Sequence, residues 1–444
     1  MPEGSPNESA VRRGHDRYAP SALSARIRSS VFLRHIAVLA GGTAAAQVIA
    51  VASAPVLTRL YTPEGMGQWG LYAAFLAITA IVSTMAYELA IVSARATAES
   101  RLLLRAAGRL VVPGSLVCGL VLYVLIAGSL MGFSILPVLT VVPAVVALAI
   151  GGTASLLRAS LIYEQDFGVL SRSQVAQSVS RVAGQIALGV AGLGWLGLVM
   201  GDLIGKVVSV VQMFLGVRKH LPTKTSPESL GRSWPALKAH WRYPLFIVPS
   251  SLVDAFAQNL PLPVIAALYG SAEAGYFALA QRILSVPSSL VGASIADVFH
   301  ARLAECRRSN PAGAVPLLYR VTALLVAIGI VPTVLLALAA PPLFQWVFGA
   351  QWRTAGEMAS ILAVLALAQL IVSPLSRAVA VYDGQHLKLF YDAISLVGMG
   401  AVLFVGRRWH LELRETVIGL TAAQLVAYAY YFLVIIRLVH ARRA

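Results

Sequence analysis

The sequence predicts an all-α polytopic membrane protein. Twelve transmembrane helices are expected in two six-helix bundles, related by a pseudo-two-fold axis along the membrane normal, with a central cleft. Three observations carry this. Of 444 residues, 58% are hydrophobic and 12% charged, where a soluble chain carries about 25% charge. Apolar runs recur from residue 36 to the end, each about 20 residues, enough for a hydrocarbon core about 30 Å thick. And a phrase from the first half returns in the second at one fixed spacing.

The runs read as spans at 36–57, 69–93, 110–131, 135–157, 174–192, 194–215, 244–268, 274–299, 317–340, 356–381, 388–406 and 416–437. They are helices, because a backbone in lipid must satisfy its own hydrogen bonds. Short alternating segments, the mark of a membrane β-barrel, are missing from the sequence. Residues 1–33 read as a disordered cytoplasmic tail, 34–216 and 243–444 as the two bundles, and 217–242 as a basic cytoplasmic linker. Trp234 and Trp241 in that linker suit a segment lying at an anionic leaflet.

Loop cations predict the orientation. The tail and the loops on its side carry 25 Lys and Arg, and the opposite loops carry five: Arg59, Arg353, Arg407, Arg408 and Arg414. Both termini are therefore expected in the cytoplasm. The formal net charge of +16 sorts by membrane side, so it does not call for nucleic acid. Cys118 and Cys306 offer no disulfide framework or CxxC site. The scattered histidines suggest no metal, and no Walker A motif appears. No cofactor and no catalysis are expected.

The repeat runs without gaps at an offset of 208 residues. Pro55 meets Pro263, Tyr61 meets Tyr269 and Gly67 meets Gly275. Each phrase sits between the first and second span of its half. Six spans per half put both halves into the membrane in the same direction, the parallel-repeat case, with the substrate cleft between them. Two ordinary turns matched by chance are the competing reading.

The stretch GGTAAAQVIAVASAPVLTRLYTPEGMGQWGLYAAF resembles the N-terminal signature of Wzx-type polysaccharide flippases, within the multidrug/oligosaccharidyl-lipid/polysaccharide exporter superfamily. The residues that carry it are Gly42, Thr43 and Gln47, then Leu57, Thr58, Arg59, Leu60, Tyr61, Pro63, Glu64 and Gly67. Weaker support comes from GLGWLGLVMGDLIG at 192–205 and VFGAQWRTAG at 347–356. The resemblance implies movement of undecaprenyl-diphosphate-linked oligosaccharide from the inner to the outer leaflet of a bacterial cytoplasmic membrane. Surface polysaccharide synthesis is the implied setting, with a polymerase and glycosyltransferases as pathway partners. O-antigen (the outer part of lipopolysaccharide), capsule and exopolysaccharide all remain open as the product. The rivals are a multidrug or toxin cation antiporter of the same superfamily and a membrane-embedded polysaccharide polymerase.

A cleft for such a load would be polar and partly cationic. A charge at mid-membrane costs about 2.5–3.5 kcal/mol on insertion scales, so each one needs a reason. In the fifth span Gln174, Gln177, Arg181 and Gln185 share one helical face. They either line the cleft, with Arg181 the first choice for the diphosphate, or glue helices together. Arg282, Ser285 and Ser289 form a second stripe, and Gln369, Ser373 and Arg377 a third. Thr43 and Gln47 share a face in the first span. Asp202 and Lys206 read as a mutually neutralising i, i+4 pair. Gly197, Gly201 and Gly205 on the same helix read as close packing inside the half.

The seventh span holds Pro249, Pro261 and Pro263, which imply a bent or broken helix. Its Asp254 is either a proton or cation site or an ion-pair partner, with Arg282 the nearest choice by sequence. Asp254 and Glu88 are the ion-coupling candidates, with Asp392 a further in-span acid that leaves room for a coupled ion. Arg59 is either paired to Glu64 in a structural turn or a late contact for the departing diphosphate.

Overall fold

The computed structural model describes residues 38–219, 233–309, 311–382 and 384–441. The tail expected at 1–33 and half of the linker expected at 217–242, residues 220–232, lie outside the described residues. Among those described there is no strand.

The first half comprises α1 (Val38–Leu60), α2 (Pro63–Thr84), α3 (Thr97–Ala127), α4 (Val141–Tyr163), α5 (Phe167–Val190) and α6 (Trp195–Arg218). In the second half α7 is a bent pair, Tyr243–Asn259 with Pro261–Tyr269. It is followed by α8 (Ser271–Ser309), α9 (Ala314–Phe348), α10 (Arg353–Leu375), α11 (Gln385–Trp409) and α12 (Leu413–Ala441). Ten of these are long and apolar enough to cross a membrane, or eleven with α7 counted as one span. The expected count of twelve crossings is not reached. The helix outside that set is α5, whose stripe of glutamine, serine and arginine lowers its hydropathy.

The turn between α1 and α2 forms for local reasons. Pro55 enters α1 two residues after a break at Ser53, whose hydroxyl donates to the Ala50 carbonyl at 2.9 Å. Thr62 caps α2 by accepting from the Gly65 N–H at 3.3 Å, and Pro63 fills the first helical position, where a missing N–H costs nothing. No ion pair joins Arg59 to Glu64 among the described residues. Arg59 is exposed.

The repeat has a physical meaning. Tyr61 donates from its hydroxyl to the Gln185 carbonyl on α5 at 2.5 Å. Its counterpart Tyr269 reaches the Leu411 carbonyl at 2.8 Å, in the turn between α11 and α12. Each tyrosine thus ties the first helix of its lobe to that lobe's fifth and sixth helices. The glycines do the opposite job and join the lobes. A Cβ on Gly67 would collide with the Ser271 carbonyl, and a Cβ on Gly275 would collide with the Pro63 carbonyl. Pro63 and Ser271, like Gly67 and Gly275, are 208 apart. Residue i meets j and j meets i, the signature of a two-fold contact.

The same end carries two further crossed contacts. Trp352 donates from its indole N–H to the Thr58 carbonyl at 2.9 Å, and Gln351 donates to the same oxygen at 3.0 Å. A Cβ on Gly132 would run into the backbone of Pro263–Ala267. The turn before the fourth helix of each lobe therefore clasps the first helix of the other. A single apolar core crosses the boundary here, with Leu57, Leu71 and Phe75 from one lobe and Ile265, Phe277 and Trp352 from the other. The short helix Ser233–Ala239 docks on the first lobe: Tyr87 donates to the Leu237 carbonyl at 3.1 Å, and His240 lies 3.5 Å from Glu99. Trp234 and Trp241 stay exposed.

Candidate functional site

Below the glycine contact the lobes part around a cavity of about 640 Å³. One wall comes from α2, with Trp69, Gly70 and Ala73. The rest comes from α7, α8, α10, α11 and α12. A second cavity of about 390 Å³ shares Ser373, Ser376, Lys388 and Tyr431 with the first and extends to Arg377 and Gly292. The two form one path, from beneath the glycine contact towards the end where α10 finishes and α11 begins.

Arg282 sits on α8 facing the first lobe. Its Nη2 donates to the Ala50 carbonyl at 3.1 Å, and its guanidinium lies 5.4 Å from the centre of the Trp69 ring. Ala50 is next to the α1 break, where the backbone is already irregular. A carbonyl dipole and an aromatic face hold the cation without neutralising it. Among the described residues no carboxylate pairs with Arg282. Arg181 on α5 lies within electrostatic range of it, so two positive charges approach each other from opposite lobes.

On the other side of the cavity lies a polar cluster. Lys388 reaches Asp254 of α7 at 2.6 Å and Asp392 of its own helix at 3.2 Å. Asp392 is almost fully buried, while the Asp254 side chain is 38% exposed. Gln424 on α12 accepts from Ser395 at 2.5 Å and donates to the Tyr391 hydroxyl at 2.8 Å. Tyr391 stacks on Tyr431 with ring centres 4.8 Å apart. Exposed Gln258, Gln281 and Gln369 complete a polar lining. Such a surface would be costly against lipid and suits a wet cavity.

The structure sorts the sequence candidates. Arg282 and Asp254 line the larger cavity and Arg377 the smaller one. The expected partner of Asp254 is corrected: it pairs with Lys388, not Arg282. Gln185 does not face the cavity. It is 1% exposed and donates to the Leu198 carbonyl of α6 at 3.1 Å. Gln174 is hydrogen-bonded to Thr43 of α1 at 2.8 Å, so the two ends of the α5 stripe glue helices. Gln177 and Arg181 pack where Gly205 lets α6 approach, with a Cβ there lying 2.7 Å from each. Gln47 is half-buried on α1. Neither cavity is lined by Arg181, Gln177, Gln47, Arg59 or Glu88. Glu88, in the short helix Tyr87–Val92, keeps a buried Oε2 with no hydrogen-bond partner among the described residues. The pair Asp202–Lys206 forms at 2.7 Å, as expected.

Lys388, Tyr391, Gln424 and Trp69 were missed as site residues. Lys388 counts among the loop cations in the sequence. The i, i+4 spacing to Asp392, the same pattern that was read correctly in Asp202–Lys206, was the available signal.

The polysaccharide biosynthesis protein family model matches residues 56–357. The chain belongs to that family. Among solved structures it is similar to the lipid II flippase MurJ in an inward closed conformation, at 13% identity over 89% of this chain and 87% of that one, with a TM-score of 0.67. It is also similar to an inward-facing multidrug resistance MATE family transporter of the MOP superfamily, at 16% identity over 91% and 94%, TM-score 0.60. A eukaryotic MATE transporter matches at 14% identity over 93% and 98%, TM-score 0.59. No curated protein sequence matches. This family member therefore has the two-lobed fold of the MOP transporters.

Proposed function

We propose that this family member flips a polyprenyl-diphosphate-linked oligosaccharide across a bacterial cytoplasmic membrane by alternating access, with both termini in the cytoplasm. One observation carries the reading: Arg282 stands in the inter-lobe cavity with no carboxylate partner among the described residues. A cation left uncompensated in a membrane protein calls for an anion, and a diphosphate supplies one. The family match and the polar lining support the glycan part of the load. A cavity of about 640 Å³ is of ordinary ligand size. It has room for the diphosphate and the first sugars, while a polyprenyl tail stays in lipid. Arg377 at the far end extends the cationic path.

The lobes meet at the glycine end and part towards the end bearing Arg377. In the proposed orientation the site is loaded from the cytoplasmic side. An inside-negative potential is worth about 2.3 kcal/mol per charge per 100 mV. It drives an anionic headgroup outward and draws an empty cationic site back. A cation extruder is the rival, and Asp254 and Asp392 would suit it, but one ammonium already sits on both.

The test is a deletion strain. Its extracted lipids are analysed by mass spectrometry alongside surface polysaccharide. Accumulated diphosphate-linked repeat unit with lost polymer is the expected result. Intact polymer and no accumulation, with raised sensitivity to cationic drugs, would move the protein to the extruder reading.

A further inference from the structure

We infer that Asp254 is a built-in stand-in for the substrate diphosphate: it occupies Lys388 until the anionic headgroup binds and displaces it. This rests on the flippase reading above and assigns to Lys388 a binding role that the sequence did not suggest.

Two carboxylates share one ammonium, and they are not equivalent. Asp392 lies one turn along the same helix as Lys388, with its side chain 6% exposed. Its pairing is fixed by α11, and stripping it would strand a buried charge. Asp254 comes from another helix, is 38% exposed and faces the cavity. Its contact is the one that solvent and ligand can reach, and half-exposed ion pairs are weak. A diphosphate carries more charge than a carboxylate and offers more acceptor oxygens to the same ammonium. It therefore outcompetes Asp254 but not Asp392.

The displaced group sits on the bent helix of the second lobe. α7 starts with a wide turn at Tyr243–Ile247 and bends by 47° at its break near Leu260. The segment bearing Asp254 packs on α2 of the other lobe as well as on α11. Lys388–Asp254 thus straps α7 to α11. Binding that opens the strap frees α7 to move with the first lobe. Headgroup recognition and lobe movement then share one ammonium.

The experiment uses the full chain in lipid nanodiscs, with undecaprenyl diphosphate as the probe and inorganic pyrophosphate as competitor. Asp254→Asn removes the stand-in charge and is expected to tighten binding about two- to fivefold, the worth of a half-exposed ion pair. Lys388→Ala weakens binding. Because that change strands Asp392, the double variant Lys388→Ala/Asp392→Asn is measured beside it. In a Lys388→Ala background, Asp254→Asn is expected to give no gain, since coupled residues do not add. Pyrophosphate competes, and competes better in Asp254→Asn. Unchanged or weaker binding in Asp254→Asn would overturn the exchange and leave the flippase reading standing. So would an equal gain towards undecaprenol, which lacks phosphate. Absence of diphosphate binding by the wild type would overturn the exchange, and the lipid analysis of the deletion strain would then decide the flippase reading by itself.

Discussion

The two lobes share a chain path and an anchoring tyrosine, yet they use their fifth and sixth helices differently. In the first lobe Gly201 and Gly205 let α6 close on α5 until backbone and Cβ atoms touch. The polar groups trapped there are spent on packing: Gln185 on the Leu198 carbonyl and Asp202 on Lys206. In the second lobe α11 and α12 meet through Ser395, Gln424 and Tyr391, and their polar row fronts an open cavity. Polar residues inside a span are therefore mortar or lining according to the neighbouring helix. In the first lobe Gly201 and Gly205 close the gap directly onto Gln185, Gln177 and Arg181, and those polar residues become mortar.

The largest effect expected from this contrast is on folding. A Cβ at Gly201 would lie 2.5 Å from Gln185 Cγ and 2.6 Å from its backbone nitrogen. Overpacking usually costs about 1–3 kcal/mol, and more where the backbone must shift. Gly201→Leu is expected to abolish folded protein in detergent, as read by size-exclusion profile and melting temperature. Gly400 on α11 is exposed, with nothing within 4 Å of a Cβ. Gly400→Leu should melt like the wild type. If both variants behave alike, glycine packing does not distinguish the lobes.

The next effect is on transport. Arg282→Ala removes the uncompensated cation and should cut headgroup affinity by about tenfold or more, which is about 1.4 kcal/mol. Arg282→Lys should restore little, because an ammonium lacks the planar fork that stacks on Trp69 and reaches Ala50 together. Gln185→Ala is the control from the other lobe. It removes a second hydrogen bond to the Leu198 carbonyl, which keeps its place in the α6 helix, and should lower stability by about 1 kcal/mol, with headgroup affinity unchanged. Reduced affinity in Gln185→Ala at full stability would return the α5 stripe to the cleft.

The helical membrane class and the repeat were legible because both are properties of pattern. A run of apolar residues needs no partner to be recognised, and Tyr61/Tyr269 and Gly67/Gly275 announce themselves by spacing. The site was half legible. Arg282, Asp254 and Arg377 stand out as charges within spans, and the structure places them on the path. Arg181 and Gln185 stand out equally, yet whether such a residue faces water or a neighbouring helix depends on contacts from α6, which one helix's periodicity does not contain. Lys388 was hidden by its place near a span end, where a lysine usually snorkels. The pairing of Asp254 with Lys388, 134 residues away, is a tertiary fact.

Smaller effects are expected where the lobes clasp. Trp352→Phe keeps the aromatic ring but loses the N–H bond to Thr58, worth about 1 kcal/mol. The Gln351 bond to the same oxygen remains. A change of that size shifts the ratio of two lobe arrangements about fivefold. Spin labels on the two opposing turns should report the shift as a larger population of the longer distance.

The smallest effect is expected at Arg59, the most conspicuous residue of the opening phrase. It lies beside Thr58, whose carbonyl holds the clasp, but its own side chain is exposed and has no ion pair among the described residues. Its repeat counterpart is Ala267, so the turn as a device does not need the charge. A surface change of this kind usually stays within about 0.5 kcal/mol. Arg59→Ala should therefore leave the melting temperature alone and hold transport within about twofold, the factor that corresponds to roughly 0.4 kcal/mol. Arg59→Glu is the sharper variant, because it puts a negative charge where a departing diphosphate would pass. If Arg59→Ala is silent while Arg59→Glu slows transport, the exit path runs past this turn without a specific contact. If Arg59→Ala alone stops transport, the first lobe contributes a binding cation of its own, and the division between a packed lobe and a lining lobe fails at the exit.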